Sequence, residues 1–347
     1  MRILYGIQGT GNGHITRARV MAKALAAQNV DVDYVFSGRP RDQYFDMERF
    51  GQYRTFDGLT FSHDHGKINY LKTASNAKLF GLIKDIHQLD VSCYDLVLND
   101  FEPVSAWAAK KAGIAVINIS HQAVFNYEQV PAKGMNWINK QILKYFAPAD
   151  ISLGVHWFHF GQAIIPPFIE RETPTSALSE DILVYMPFEE LDEISDLLNG
   201  QHDHNFVVYH PSIEKDVDTR AIKYRKPCRQ GFLRDLESCA GVIANAGFEL
   251  SSEALCVGKK LLLKPLDGQF EQASNAETLS LLGLANVMTG LDDAVLETWL
   301  QQESKDAINY PSDPTPLIDW LLAGDYKNPE KLCQSLWQPI LMPQFVR

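Results

Sequence analysis

The chain has 347 residues, 46% of them hydrophobic and 22% charged, which suits an ordinary folded protein of about two domains. Its 32 Lys and Arg against 43 Asp and Glu leave a net charge of −11, which argues against non-specific nucleic-acid binding. A small anionic ligand is not excluded, because a few local donors can hold a phosphate inside an acidic protein.

"RILYGI" reads as a short buried strand, and Gly9, Gly11 and Gly13 follow in alternation. "HITRARVMAKALAAQ" then places Ile15, Ala18, Met21, Ala22 and Leu25 at helical spacing. "VDVDYVFS" alternates and is β-rich, so the opening is strand, glycine turn, helix, strand, with a parallel sheet implied. "KTASNAKLFGLIKDIHQL" is helical, "DLVLND" a strand, "VSAWAAKKAG" a helix and "IAVINIS" a strand. A further helix is expected over "GMNWINKQILKYFA".

The proline-bearing stretch from Ala163 to Asp181 breaks this rhythm and reads as a linker. A second α/β series follows: strands in "ILVYMPF", "NFVVYHP", "GVIANAG" and "KKLLLKPL", and helices in "EELDEISDLLN", "FELSSEALCVG" and "QFEQASNAETLSLLG". Two terminal helices close the chain. The expected division is a Rossmann-like domain over 1–165, a linker over 166–181, a second such domain over 182–325, and a tail over 326–347 that crosses back to the first domain. Two doubly wound α/β domains so joined enclose a cleft, and ligands of such sheets sit at the carboxyl ends of the strands.

The five cysteines show no Cys-x-x-Cys pair and are expected to be free thiols. Met1-Arg2 leads straight into a strand, so no signal peptide is expected, and no stretch reaches the ~20 apolar residues of a membrane helix. A cytoplasmic protein is the expectation. The helix around Trp137 and Ile138 carries Lys133, Lys140 and Lys144, which allows peripheral contact with an anionic membrane; a helix covering the sheet with its lysines in water is the plainer reading.

The glycine loop is neither Gly-x-Gly-x-x-Gly nor a Walker loop, and its helix carries His14 and Arg17 three residues apart on one face. Asp100 ends "DLVLND" and should face His14, where a carboxylate would fix the imidazole tautomer and sharpen it as a base; alternatively Asp100 caps the next helix. His121 and Gln122 follow "VINIS" and should also face the cleft, as substrate contacts or in a structural role. In the second series a strand ends at Asn245-Ala246-Gly247 and a helix starts at once, a ready diphosphate site. Glu253, two turns on, could take a ribose diol. Asp267, Gln269, Glu271 and Gln272 crowd the loop after "KKLLLKPL" and suit the hydroxyls of a sugar.

The stretch Gly241 to Ala276 resembles the nucleotide-sugar signature of GT-B-fold glycosyltransferases. Plant-type UDP-sugar transferases carry His-x-Gly, Ser, Glu, Gly-x-Pro, Pro and Asp-Gln-x-x-Asn-Ala in that order. Here stand Asn245-Ala246-Gly247, Ser251, Glu253, Gly258-Lys259-Lys260, Pro265 and Glu271-Gln272-Ala273-Ser274-Asn275-Ala276. The N-terminal loop is similar to the Gly-Gly-His loop of the N-acetylglucosaminyltransferases that complete lipid II in peptidoglycan synthesis, as is His121-Gln122 to their strand-end motif. A little-characterised microbial group with Gly-x-Gly-Asn-Gly-His-x-x-Arg-Ala loops is nearer still.

The resemblance implies a GT-B fold and an inverting transfer of sugar from a nucleoside-diphosphate donor, UDP-sugar favoured, to the hydroxyl of a glycan, lipid-linked or small-molecule acceptor. It makes His14 the base and Asp100 its orienter. Gly11, Gly13, Asn245, Gly247, Phe248, Glu253, Gln269, Glu271, Gln272 and Asn275 become donor contacts, and Arg17, His121 and Gln122 acceptor or phosphate contacts. No cofactor and no metal are expected, since the chain is read as having no Asp-x-Asp metal motif and a helix dipole can stand in for a cation. Asn245 replaces a histidine, Glu271 replaces an aspartate, and the charge of Glu249 falls unfavourably close to the expected phosphates. A nucleotide-sugar 2-epimerase and a non-catalytic nucleotide-sugar sensor are the competing readings. A NAD-dependent dehydrogenase lacks the final glycine of its fingerprint.

Overall fold

The computed structural model describes residues 1–59, 63–64, 67–68, 76–170, 178–324, 326 and 328–343. The first sheet takes β1 (Arg2–Gln8), β2 (Asp31–Ser37) and β3 (Tyr53–Phe56). A small antiparallel pair follows, β4 (His63–Asp64) and β5 (Lys67–Ile68). The sheet resumes with β6 (Leu96–Asp100), β7 (Val116–Ser120), β8 (Ile151–Val155) and β9 (Ile164–Ile165). Its order is β3-β2-β1-β6-β7-β8-β9, parallel throughout. β1, β6 and β7 are buried almost end to end, as strands covered on both faces must be.

The second sheet comprises β10 (Ile182–Tyr185), β11 (Phe206–Tyr209), β12 (Val217–Asp218), β13 (Ile222–Arg225), β14 (Gly241–Ala244), β15 (Lys260–Leu263) and β16 (Asn286–Val287). Its order is β12-β13-β11-β10-β14-β15-β16, with only the β12 edge antiparallel. Both sheets reverse direction of growth beside their first strand, between β1 and β6 and between β10 and β14. Those two switch points are where a doubly wound sheet opens a crevice.

Several elements were not visible in the sequence pattern. β8, β13 and the helices Arg229–Ser238 and Asp293–Leu300 join the expected set. Ile164 and Ile165, at the head of the proline-rich stretch, pair with β8 as the last strand of the first sheet. The helix expected from Gly134 begins only at Trp137, where the Asn136 side chain accepts from the Asn139 amide at 2.9 Å. Asp100 does not cap the next helix. Glu102 does: its carboxylate takes the amides of Val104 and Ser105 at 2.7 Å and the Ser37 hydroxyl at 2.6 Å.

The two lobes share one apolar cluster that includes Ile15, Trp157, Phe248 and Leu255. Trp157 is fully buried, and its indole N–H donates to Ser252 Oγ of the second lobe at 2.8 Å. The chain's end returns to the first sheet: Trp337, on the helix Glu330–Trp337, donates to the Ile164 carbonyl at 2.7 Å.

Candidate active site

β1 delivers the chain to the glycine loop, and Gly11 in extended conformation starts the helix Asn12–Ala27. Gly13 must be small, because a β-carbon there would lie 2.9 Å from Glu249 Cγ in the other lobe. At Gly11 a β-carbon would meet nothing within 4 Å, so packing inside the chain does not explain that glycine.

One turn into the helix, His14 and Arg17 converge on Asp100 at the end of β6. His14 Nδ1 lies 2.9 Å from Asp100 Oδ1 and 3.1 Å from Arg17 Nη2; with the proton on Nδ1, shared with the carboxylate, Nε2 keeps its lone pair. The imidazole is 15% exposed, so it is neither sealed nor free. Arg17 forks onto the same carboxylate, Nε to Oδ2 at 2.9 Å and Nη2 to Oδ1 at 2.8 Å. Its remaining nitrogen Nη1 pairs with Glu249 of the second lobe. Burial opposes ionisation of Asp100, but Arg17 and His14 outweigh it and hold the carboxyl below its ordinary range. Glu249 differs: burial pushes it up to about 8 although Arg17 pulls the other way, with Glu253 and Asp100 adding to the rise. A single guanidinium thus stands between two carboxyls, and Asp100 keeps the charge. Arg17, expected to meet a phosphate, is engaged on all sides within the protein.

In the second lobe the helix Phe248–Cys256 starts directly after Gly247, where a β-carbon would meet nothing within 4 Å. Glu249 stands in its first turn. Asn245 turns the other way: its Nδ2 donates to the Lys264 carbonyl at 2.9 Å and to Glu189 at 3.2 Å, and its Oδ1 is buried without a partner. Glu253 is partly buried. Burial raises it to about 7 against the pull of Arg229 and Arg19, and its side chain takes no hydrogen bond among the described residues.

Other residues expected to touch ligand also join the lobes or cap helices. His121 is buried, stacked on Phe248 at 4.1 Å between ring centres, and bonded to the Val155 carbonyl and to Asn275 Oδ1. Burial lowers its basicity. Asn275 uses its other end on the Ala246 carbonyl at 3.0 Å. Gln122 Nε2 reaches Glu271 Oε2 across the lobes at 3.1 Å. Gln269 caps the helix Phe270–Leu281 through the Gln272 amide, and Gln272 holds the Leu266 amide at 2.9 Å. Of these, Glu271 alone keeps a partly exposed carboxylate.

Two Asp-x-Asp triplets, a spacing that can serve a metal, escaped the sequence reading: Asp31-Val32-Asp33 and Asp216-Val217-Asp218. Arg2 and Tyr94 hold Asp33 at 2.8 and 2.7 Å, and Arg225 pairs with Asp218. No cluster of three His, Cys, Asp or Glu suited to a metal occurs among the described residues. His156 was also missed. It is buried beside Trp157 with neither ring nitrogen partnered, and burial, with His121 nearby, holds its pKa well below 6.5. A cavity of 560 Å³ at the carboxyl end of the second sheet is lined by Glu189, Glu193, Asp196, Asp267 and Asp293 around Lys264. That excess of carboxylates does not suit a diphosphate. A second cavity of 170 Å³ lies in the first lobe beside Gln122. His14 lines neither.

The family described as glycosyl transferase family 1 has a model that matches residues 1–303. No curated protein matches the sequence. Among solved structures, the glycotransferase of kitacinnamycin is 14% identical, with 98% of this chain and 99% of that chain covered at a TM-score of 0.60. The spinosyn forosaminyltransferase SpnP is 14% identical over 93% and 99%, TM-score 0.58. MurG of Acinetobacter baumannii is 14% identical over 93% and 100%, TM-score 0.55. At such identity the likeness concerns the fold, two facing α/β lobes of the GT-B type.

Proposed function

Because the chain belongs to glycosyl transferase family 1 and is a glycosyltransferase, we propose that it moves a sugar from a nucleoside-diphosphate donor, UDP-sugar favoured, to an acceptor hydroxyl with inversion. The observation that carries this reading is the 2.9 Å bond from His14 Nδ1 to Asp100. It supports a base at Nε2 that takes the acceptor's proton while the acceptor oxygen attacks the anomeric carbon. The bond from that carbon to the diphosphate oxygen breaks, and the nucleoside diphosphate leaves with the electron pair. The bare helix terminus at Gly247 is the proposed cradle for its charge.

Glu249, in the first turn of that helix, carries its proton at neutral pH by virtue of burial. In this proposal it is a hydrogen-bond donor to the diphosphate and not the repulsive charge that the sequence suggests. Ribose contact falls to Glu253 and sugar contact to Glu271. No cofactor or metal is required in this scheme, because helix terminus and neutral acid replace the cation. Opening of the contacts Arg17–Glu249, His121–Asn275 and Gln122–Glu271 admits the donor between the lobes.

Among the described residues no helix is long and apolar enough to cross a membrane. Trp137 is 73% exposed near the exposed Lys140 and Lys144, which supports peripheral contact with an anionic bilayer at the cytoplasmic face. Liposome flotation at low and moderate salt tests that contact.

A thermal-shift screen of UDP-, GDP- and dTDP-sugars tests the donor class, since a ligand of the folded state raises the midpoint by mass action. The anomeric configuration of the product tests inversion, and turnover in excess chelator tests the metal-free scheme.

A further inference from the structure

Asn99, Asn118 and Ser152 occupy paired positions on the adjacent strands β6, β7 and β8. Parallel neighbours in register share a face, so a polar row crosses an otherwise apolar sheet. Asn99 is fully satisfied: it donates to the Glu102 carbonyl at 2.8 Å and to Ser105 Oγ at 3.1 Å, and it accepts from the Glu102 amide at 3.1 Å. Asn118 is not. It is 5% exposed, and its Oδ1 is buried with no hydrogen-bond partner. Gln122, two residues past the end of β7, is 6% exposed and has the same defect at Oε1.

Both side chains line the 170 Å³ cavity of the first lobe. Exposed Asn126, Ser152 and Lys144 stand around it toward solvent. Phe101 supplies another wall, directly after Asp100, with φ of 54° that a phenylalanine rarely adopts. It is stacked on Phe146 at 4.8 Å between ring centres. A strained residue beside buried, unsatisfied amides is costly to the fold and is the kind of arrangement that persists at binding sites.

We propose that this cavity binds one hydroxylated ring of a saccharide acceptor. The proposal rests on the transferase reading above and names its acceptor class. Two buried oxygens that can only accept call for a ligand that brings O–H donors, and a sugar unit brings several. The volume equals that of roughly five or six waters at about 30 Å³ each, which fits one ring and is too small for a drug-sized apolar aglycone. Gln122 also holds Glu271 of the donor lobe through Nε2, so a ring bonded to its Oε1 contacts the residue that spans both lobes.

The test is ligand-observed NMR titration of the full chain with a panel of methyl glycosides, and in parallel with cyclohexanol as an apolar ring. Asn118→Leu removes the orphan oxygen at nearly constant volume, and Ser152→Trp closes the mouth from an exposed position. The expected result is saturable binding of at least one glycoside but not of cyclohexanol, weakened about tenfold by Asn118→Leu with no fall in melting temperature. Ser152→Trp should abolish it, which keeps the test valid if the leucine variant does not fold. Absence of glycoside binding, or binding unchanged in both variants, overturns the proposal and leaves a cavity for water only. Nucleotide-sugar binding is measured on the same samples. Its absence would sink the transferase reading separately, whatever the glycosides do.

Discussion

His156 offers a prediction whose size follows from its surroundings. Its imidazole is buried between His121, Trp157, Phe160 and Phe248 with both nitrogens unpartnered, and its pKa lies well below the ordinary 6.5. The unfolded chain takes up a proton as pH falls through 6.5, while the folded protein does not, so stability falls in acid. Between about pH 7.5 and about pH 5.5 this one group costs roughly 1 kcal/mol, close to RT times the logarithm of about ten. The wild-type curve alone does not isolate it. Glu249 and Glu253 are raised to about 8 and about 7, so their contribution is greatest in acid and is lost as pH rises through those values. The comparison is therefore wild type against His156→Phe, by urea unfolding followed through tryptophan emission at both pH values. The phenylalanine variant should gain roughly 1 kcal/mol on wild type at the lower pH relative to the higher. An equal pH response in the two proteins would refute a buried neutral imidazole at the joint between the lobes.

Glu102→Ala strips the buried cap of helix Pro103–Ala112 and leaves the amides of Val104 and Ser105 and the Ser37 hydroxyl without their partner; chemical denaturation should register a loss of about 3 kcal/mol. Arg17→Ala leaves the buried Asp100 carboxylate without its guanidinium, and a loss of about 3–5 kcal/mol is expected in the same assay. Glu249 is neutral below about 8, so turnover should decline as pH rises through that value; Glu249→Gln, neutral throughout, should lose this alkaline limb in a pH–rate profile.

The doubly wound order was legible because a buried parallel strand reads as an apolar run and its helix as a 3.6-residue pattern; "RILYGI" and "VINIS" need no partner to be recognised. β13 was not, since "IKYR" carries two cations on an edge-side strand. The pairing of His14 with Asp100 followed from strand ends that face one crevice. The partners of Arg17, His121 and Gln122 did not, because Glu249, Asn275 and Glu271 lie in the other lobe and only the docked sheets bring them together. Glu249 illustrates the gap: its position beside the expected phosphates was readable, but its protonation depends on burial that no local pattern encodes. Asn118 was unremarkable within "VINIS" and became informative only when its register partner Asn99 proved satisfied and it did not.

The proposed mechanism joins a base in the first lobe to an anion cradle in the second. Its most direct measurement is kcat and nucleotide-sugar Kd for wild type and His14→Ala, with a donor found by the thermal-shift screen. In His14→Ala, kcat should fall about 10²–10⁴-fold with Kd unchanged. Equal losses in both, or full turnover without the imidazole, would contradict it.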